Sequence, residues 1–140
     1  MAERGAGRVR TLRILLDTQC WLWMLAAPDR LSLAGRQRLT APDHELYLSA
    51  ASAWEIAIKS SLGRLHLPMD PAEYVRTRLL QSQTRPLAIT HEHALRVASL
   101  PAHHRDPFDR LLIAQAQLEG LVVMTSDPQF AAYAVEVIGP

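Results

Sequence analysis

The chemistry this sequence offers lies in its acids, two of which sit three residues apart. In "HHRDPFDRLLIAQAQLEG" (103–120), Asp106 and Asp109 flank Pro107-Phe108 at the mouth of an apolar run. Asp followed by Pro, with a second acid three positions after the first, is a helix start signal. Asp106 can accept the free amides of the first turn, and Asp109 in that turn is favoured by the positive end of the helix dipole. Three further acids raise a second reading. Asp17 directly follows the short apolar run "LRILL", Asp127 comes two residues after "LVVMT", and Glu55 lies in "SAASAWEIAIKSSLG" among Ala53, Trp54, Ile56, Ala57 and Ile58. Each has an innocent explanation: Asp17 and Asp127 as helix caps, Glu55 as the favourable i,i+4 partner of Lys59. A carboxylate in so apolar a helix as that of Glu55, however, points more readily into a cleft than into bulk water.

Carboxylates that converge on one cleft repel one another, and without a cation some must take up protons. A divalent ion removes that penalty, and an all-oxygen set selects a hard one, Mg²⁺ or Mn²⁺. Such an ion can activate a water against a phosphodiester and offset charge on the transferring phosphoryl group. The adjacent His103 and His104 have diverging rings on a regular backbone, and all six histidines are read as surface or packing residues. The single cysteine, Cys20, lies in the apolar run "CWLWML" and is read as a buried thiol in a reducing cytoplasm.

The elements that must position these acids follow from periodicity. Strands are expected at 12–16, 45–50, 85–89, 121–125 and 135–138. Helices are expected after Asp17, from Ser32, over 52–62 with Gly63 beyond the last turn, from Asp70-Pro71, from Thr90, and from Asp106 to the closing Gly120. Strands alternating with helices imply an α/β domain around a mostly parallel sheet of four to five strands covered on both faces. Ligands of such sheets sit beyond the carboxyl ends of the strands, where strand order reverses. Asp17 and Asp127 both fall there.

The 140 residues form one domain, 12–140, behind a basic extension over 1–11 that is expected to be poorly ordered. Fifteen basic and fourteen acidic side chains leave a formal charge of +1, so a nucleic-acid partner must be held by a local patch. The longest apolar run, Cys20 to Ala27, is far below the roughly 20 residues of a membrane span.

"LLDTQCWLW", "LSAASAWEIAIKSSLGRL", "ITHEHALRVASLPAHHRDPFDRLLIAQAQLEGLVVMTSD" and "YAVEVI" together resemble a PIN-domain ribonuclease, most nearly the VapC-type toxins of bacterial toxin–antitoxin pairs. The resemblance runs from Leu12 onward. It implies a compact α/β domain, a Mg²⁺-dependent endonuclease acting on RNA, a small antitoxin that blocks it, and a homodimer or toxin–antitoxin hetero-oligomer. It carries the metal and catalytic role onto Asp17, Glu55, Asp109 and Asp127, supporting roles onto Thr18 and Ser126, and leaves Asp106 as cap or supporting group. Relatives commonly show histidine after "LLDT", where this chain has Gln19. Arg105 and Arg110 flank the expected site, with Lys59 and Arg64 extending a track for RNA phosphates. Trp21, Trp23, Met24 and Leu25 make the first helix apolar nearly all round and are the expected partner surface. Two rival readings stand beside this one. A different Mg²⁺-dependent phosphohydrolase would want a second acid two residues after Asp17, and the chain has Gln19. A non-cutting PIN-like binding module would lack one or more of the four acids, and all are present.

Overall fold

The structure, a computed structural model, describes residues 10–140. Most of the expected N-terminal extension therefore lies outside the described residues; of it, Arg10 makes a two-pronged contact with Glu136 at 2.6 and 2.7 Å. Five strands, β1 (Arg13–Leu16), β2 (Glu45–Ser49), β3 (Thr84–Leu87), β4 (Val122–Met124) and β5 (Val137–Ile138), form one sheet in the order β3-β2-β1-β4-β5. Every neighbouring pair is parallel. The chain leaves β1 through α1 (Thr18–Ala26) and α2 (Leu33–Thr40), and leaves β2 through α3 (Ala50–Ser61) and α4 (Pro71–Gln81). It then passes from β3 through α5 (His91–Arg96) and α6 (Pro107–Glu119) to β4, on the other side of β1.

The strands are short and apolar because both faces are covered. Along β1, Ile14 and Leu16 enter one core with Trp21, Ile56 and Tyr74, while Leu15 enters the other with Ile113, Val123, Phe130 and Tyr133. All three β1 side chains are fully buried, each stabilising the fold by roughly 1.5–3 kcal/mol. Among the described residues no helix is long and apolar enough to cross a membrane.

Helix starts follow the expected signals with one shift. Asp17, Ser32, Asp70, Thr90 and Asp106 all cap helices through their side chains. The third helix, expected from Ser52, begins at Ala50, because the Ser49 hydroxyl accepts the Ala51 amide at 3.0 Å and so closes β2 one residue early. Gly63 and Gly120 take left-handed backbone angles (φ 70° and 67°) just past α3 and α6, the termination expected of them.

Candidate metal centre

Strand order reverses between β1 and β4, and the acids meet there. The Asp17 amide donates to the Met124 carbonyl at 3.0 Å, so the chain leaves both strands side by side. A cleft of ≈ 260 Å³ opens beyond them, lined by Asp17, Thr18, Gln19, Glu55, Lys59, Asp106, Asp109, Ser126 and Asp127. All four acids expected to act together, with Asp106, Thr18 and Ser126, thus line one space. Asp109 comes from the first turn of α6, Glu55 from the second turn of α3, and Asp127 from the loop after β4.

Each acid is held by specific donors. Asp17 is 9% exposed. Its Oδ1 accepts the Cys20 amide at 2.7 Å and its Oδ2 accepts the Thr125 hydroxyl at 2.6 Å. It therefore caps α1 and faces the cleft at once. Glu55 accepts the Thr18 hydroxyl at 2.7 Å and pairs with Lys59 at 2.7 Å. The i,i+4 ion pair and the inward-facing carboxylate, alternatives in the sequence, coexist. Asp106 caps α6, accepting the Phe108 amide at 2.8 Å and the Asp109 amide at 3.4 Å. Asp127 accepts the Gln129 amide at 2.9 Å through Oδ1, and its Oδ2 lies 2.8 Å from His104 Nε2.

Asp109 records the electrostatics of this crowding. Its carboxyl is pushed from 3.8 up to about 7, first by burial and then by Asp106, with smaller pushes from Glu55 and Asp17 and an opposing pull from His104. Five carboxylates thus face one space in which Lys59 is the lining cation. The donor set fits a hard divalent cation: carboxylate oxygens dominate, and Cys20, whose thiol is pushed well up by burial and by Asp17, stays neutral. A ring nitrogen of His104 and one carboxylate oxygen each from Asp109 and Asp127 also lie within 4.8 Å of one another.

His104 corrects the expectation that every histidine is a surface or packing residue. The rings of His103 and His104 do diverge, as adjacency requires. His103 packs edge-on against Tyr133 at 5.2 Å, whereas His104 turns inward, its Nε2 2.8 Å from Asp127 Oδ2 and 3.0 Å from Asp109 Oδ2. The signal was local: a histidine two residues before a capping Asp can fold its ring back onto the cap's amide, and here Nδ1 accepts the Asp106 amide at 3.1 Å. Thr125 was also missed. It looked like the last residue of a buried strand, yet its hydroxyl both donates to Asp17 and accepts the Asp127 amide at 3.0 Å.

Two other expectations are corrected. Arg110 does not face the cleft; its guanidinium donates to the carbonyls of Val97, Leu100, Pro101 and His104 and to the Tyr133 hydroxyl, at 2.9–3.3 Å. A guanidinium so engaged ties the loop before α6 to the start of that helix. Trp21 is no partner surface: it is fully buried and its indole N–H donates to the Thr84 hydroxyl at 3.2 Å. Trp23, Met24 and Leu25 are partly buried against the same core. Lys59 and Arg64 line a second, adjoining groove of ≈ 140 Å³ with Gln19 and Thr18, and Arg105 is exposed on the loop before α6.

The PIN domain family model matches residues 14–136 of this chain, nearly its whole described length. The chain belongs to the PIN domain family. Among known proteins this PIN domain is similar to Ribonuclease VapC22 of Mycobacterium tuberculosis, at 31% identity over 121 residues covering 86% of this chain and 91% of that one. In fold it is similar to VapBC2 from Rickettsia felis, solved bound to a promoter DNA fragment, with a TM-score of 0.69 at 12% identity over 91% of this chain and 98% of that one. A toxin-antitoxin complex from Klebsiella pneumoniae gives a TM-score of 0.60 at 20% identity, covering 89% and 95%.

Proposed function

We propose that this PIN domain is a Mg²⁺-dependent endoribonuclease, the toxin of a toxin–antitoxin pair. One observation carries the chemistry: carboxylates from four separated segments meet in a single cleft at the strand-order reversal, where burial first and the charge of Asp106 second raise the Asp109 carboxyl to about 7. The relative of 31% identity bears the name of a ribonuclease, which supports RNA as substrate.

Asp17, Glu55, Asp109 and Asp127 are the residues to hold the cation, Mg²⁺ with Mn²⁺ as substitute. When bound, it supplies water activation and an offset for negative charge at the scissile phosphodiester. The protein's own part is orientation. Donors on both oxygens of Asp17 fix its plane before any ligand arrives, which lowers the ordering cost of binding. Thr18 and Lys59 do the same for Glu55. Lys59 and Arg64 of the adjoining groove and the exposed Arg105 are the side chains to meet RNA phosphates; Arg110 is withdrawn from that track by its internal bonds. Gln19, in place of a ring, leaves the acid set intact and offers an amide to the adjoining groove.

An antitoxin partner is supported by the similar solved structures, one of which is described as a toxin-antitoxin complex. Trp23, Met24 and Leu25 remain the proposed contact, with Trp21 removed from it. A homodimer or a hetero-oligomer with the antitoxin, in the cytoplasm, completes the reading.

The test uses purified protein and a circular RNA, which has no ends. Linearisation with Mg²⁺ that stops on chelation, and is lost in Asp17→Asn, is the expected result. Cutting that persists in excess chelator, or in that variant, overturns the assignment.

A further inference from the structure

We propose that His104 is a positioning residue of the metal centre: its imidazole, locked as the Nε2–H tautomer, holds the carboxylates of Asp109 and Asp127 together on one face of the cleft. The inference rests on the metal-dependent reading above and assigns a residue which that reading does not use.

The ring is constrained at every polar atom. Nδ1 accepts the Asp106 amide at 3.1 Å, so the proton of the neutral ring resides on Nε2. Nε2–H then donates to Asp127 Oδ2 at 2.8 Å, with Asp109 Oδ2 3.0 Å from the same nitrogen. The backbone beneath the ring is fixed as well. The His104 amide donates to the Tyr133 hydroxyl at 2.8 Å, and its carbonyl accepts from Arg110. The ring face meets Phe130 edge-on at 5.9 Å, and the side chain is 10% exposed. A surface histidine placed by chance has no reason for a buried Tyr and an Arg to hold its main chain while a capping amide selects its tautomer.

The arrangement has a definite consequence. Asp109 sits on α6 and Asp127 on the loop after β4, so no backbone hydrogen bond need keep them adjacent. Two carboxylates at this distance repel, and a donor shared between them offsets that repulsion. An N–H aimed at carboxylates near a bound cation also fixes which of their oxygens remain free to ligate. Such outlying hydrogen bonds are typically worth on the order of 10- to 100-fold in metal affinity.

The experiment titrates Mn²⁺ into the full chain and follows the free-ion signal by electron paramagnetic resonance. Wild type, His104→Ala and His104→Gln are compared, with circular dichroism as the measure of folding. Gln can place an amide N–H near the position of Nε2–H. Mn²⁺ binding on the order of 10- to 100-fold weaker in His104→Ala, with most of the loss recovered in His104→Gln, is the expected result. Equal binding in wild type and His104→Ala, or a Gln variant as weak as Ala, overturns the positioning role while leaving the metal reading standing. A wild type that takes up no Mn²⁺ overturns both. Should His104→Ala not fold, long-range ¹H–¹⁵N spectra of the wild type decide: the Nε2–H tautomer supports the role and the Nδ1–H tautomer ends it.

Discussion

Thr125 and Asp17, 108 residues apart in the chain, share a 2.6 Å hydrogen bond that joins the carboxyl ends of β4 and β1. The same hydroxyl accepts the Asp127 amide. One buried oxygen therefore sets the plane of one acid and the backbone of another. Thr125→Val keeps the side-chain shape and removes both bonds. It leaves the Asp127 amide without a partner at a cost of about 1–3 kcal/mol. We expect a lowered thermal midpoint and Mn²⁺ affinity reduced on the order of ten-fold, read by calorimetry; unchanged affinity would show that Asp17 is oriented by the Cys20 amide alone.

Asp109 makes the stability of the metal-free protein depend on pH. Its folded pKa, about 7, lies above the ordinary 3.8, so between those values the folded state holds a proton that the unfolded state has released. That contribution is complete below about 3.8 and is lost as pH rises through about 7. The slope from one such group is at most about 1.4 kcal/mol per pH unit. Urea unfolding of wild type and Asp109→Asn in the presence of chelator should show wild type losing stability relative to the variant as pH rises from 4 to 7. Saturating Mn²⁺, which binds the deprotonated acid, should remove that trend.

Asp106 has two separable effects. Its Oδ1 caps α6, and its charge is the second cause, after burial, of the raised proton affinity of Asp109. Asp106→Asn keeps a capping oxygen and removes the charge, so stability should hold while the Asp109 pKa falls, as followed by carboxyl NMR titration. Asp106→Ala should lower it too, but lose about 1 kcal/mol through the missing cap. An Asp109 titration unmoved in Asp106→Asn would assign its shift to burial with Glu55 and Asp17, and none of it to Asp106.

Arg110 separates structure from substrate contact. Its guanidinium serves four carbonyls and a hydroxyl, and Lys cannot reproduce that planar fork. Arg110→Ala and Arg110→Lys should both destabilise, Ala by about 1–3 kcal/mol as the part-buried carbonyls of Leu100 and His104 lose their guanidinium donor, while those of Val97 and Pro101 keep the Leu100 amide and the Tyr133 hydroxyl. Full stability with weakened RNA binding would return Arg110 to the phosphate track.

Much of this molecule was legible in its sequence, for identifiable reasons. The first strand ends at Asp17, and helices begin at Asp17, Ser32, Asp70, Thr90 and Asp106, because capping is decided within a few residues. The rule that parallel sheets bind at their strand-order reversal, a property of topology, placed Asp17 and Asp127; Glu55 and Asp109 joined them through the resemblance to PIN-domain ribonucleases. What escaped were side chains whose role depends on partners far along the chain. Nothing near Thr125 names Asp17 as its acceptor, and nothing near Arg110 announces the four carbonyls that claim it. Trp21 was misplaced because an apolar helix shows no periodic contrast by which to tell its core side from its outer one. His104 was half legible: adjacency correctly separated it from His103 but could not say which of the two would turn inward.

Binding calorimetry of Mg²⁺ or Mn²⁺ near pH 6, repeated in buffers of different ionisation heat, tests most directly whether the crowded acids form a cation site. We expect binding accompanied by release of close to one proton, from Asp109, with binding lost in Asp17→Asn. An ion taken up without proton release, or as well by Asp17→Asn as by the wild type, would contradict it.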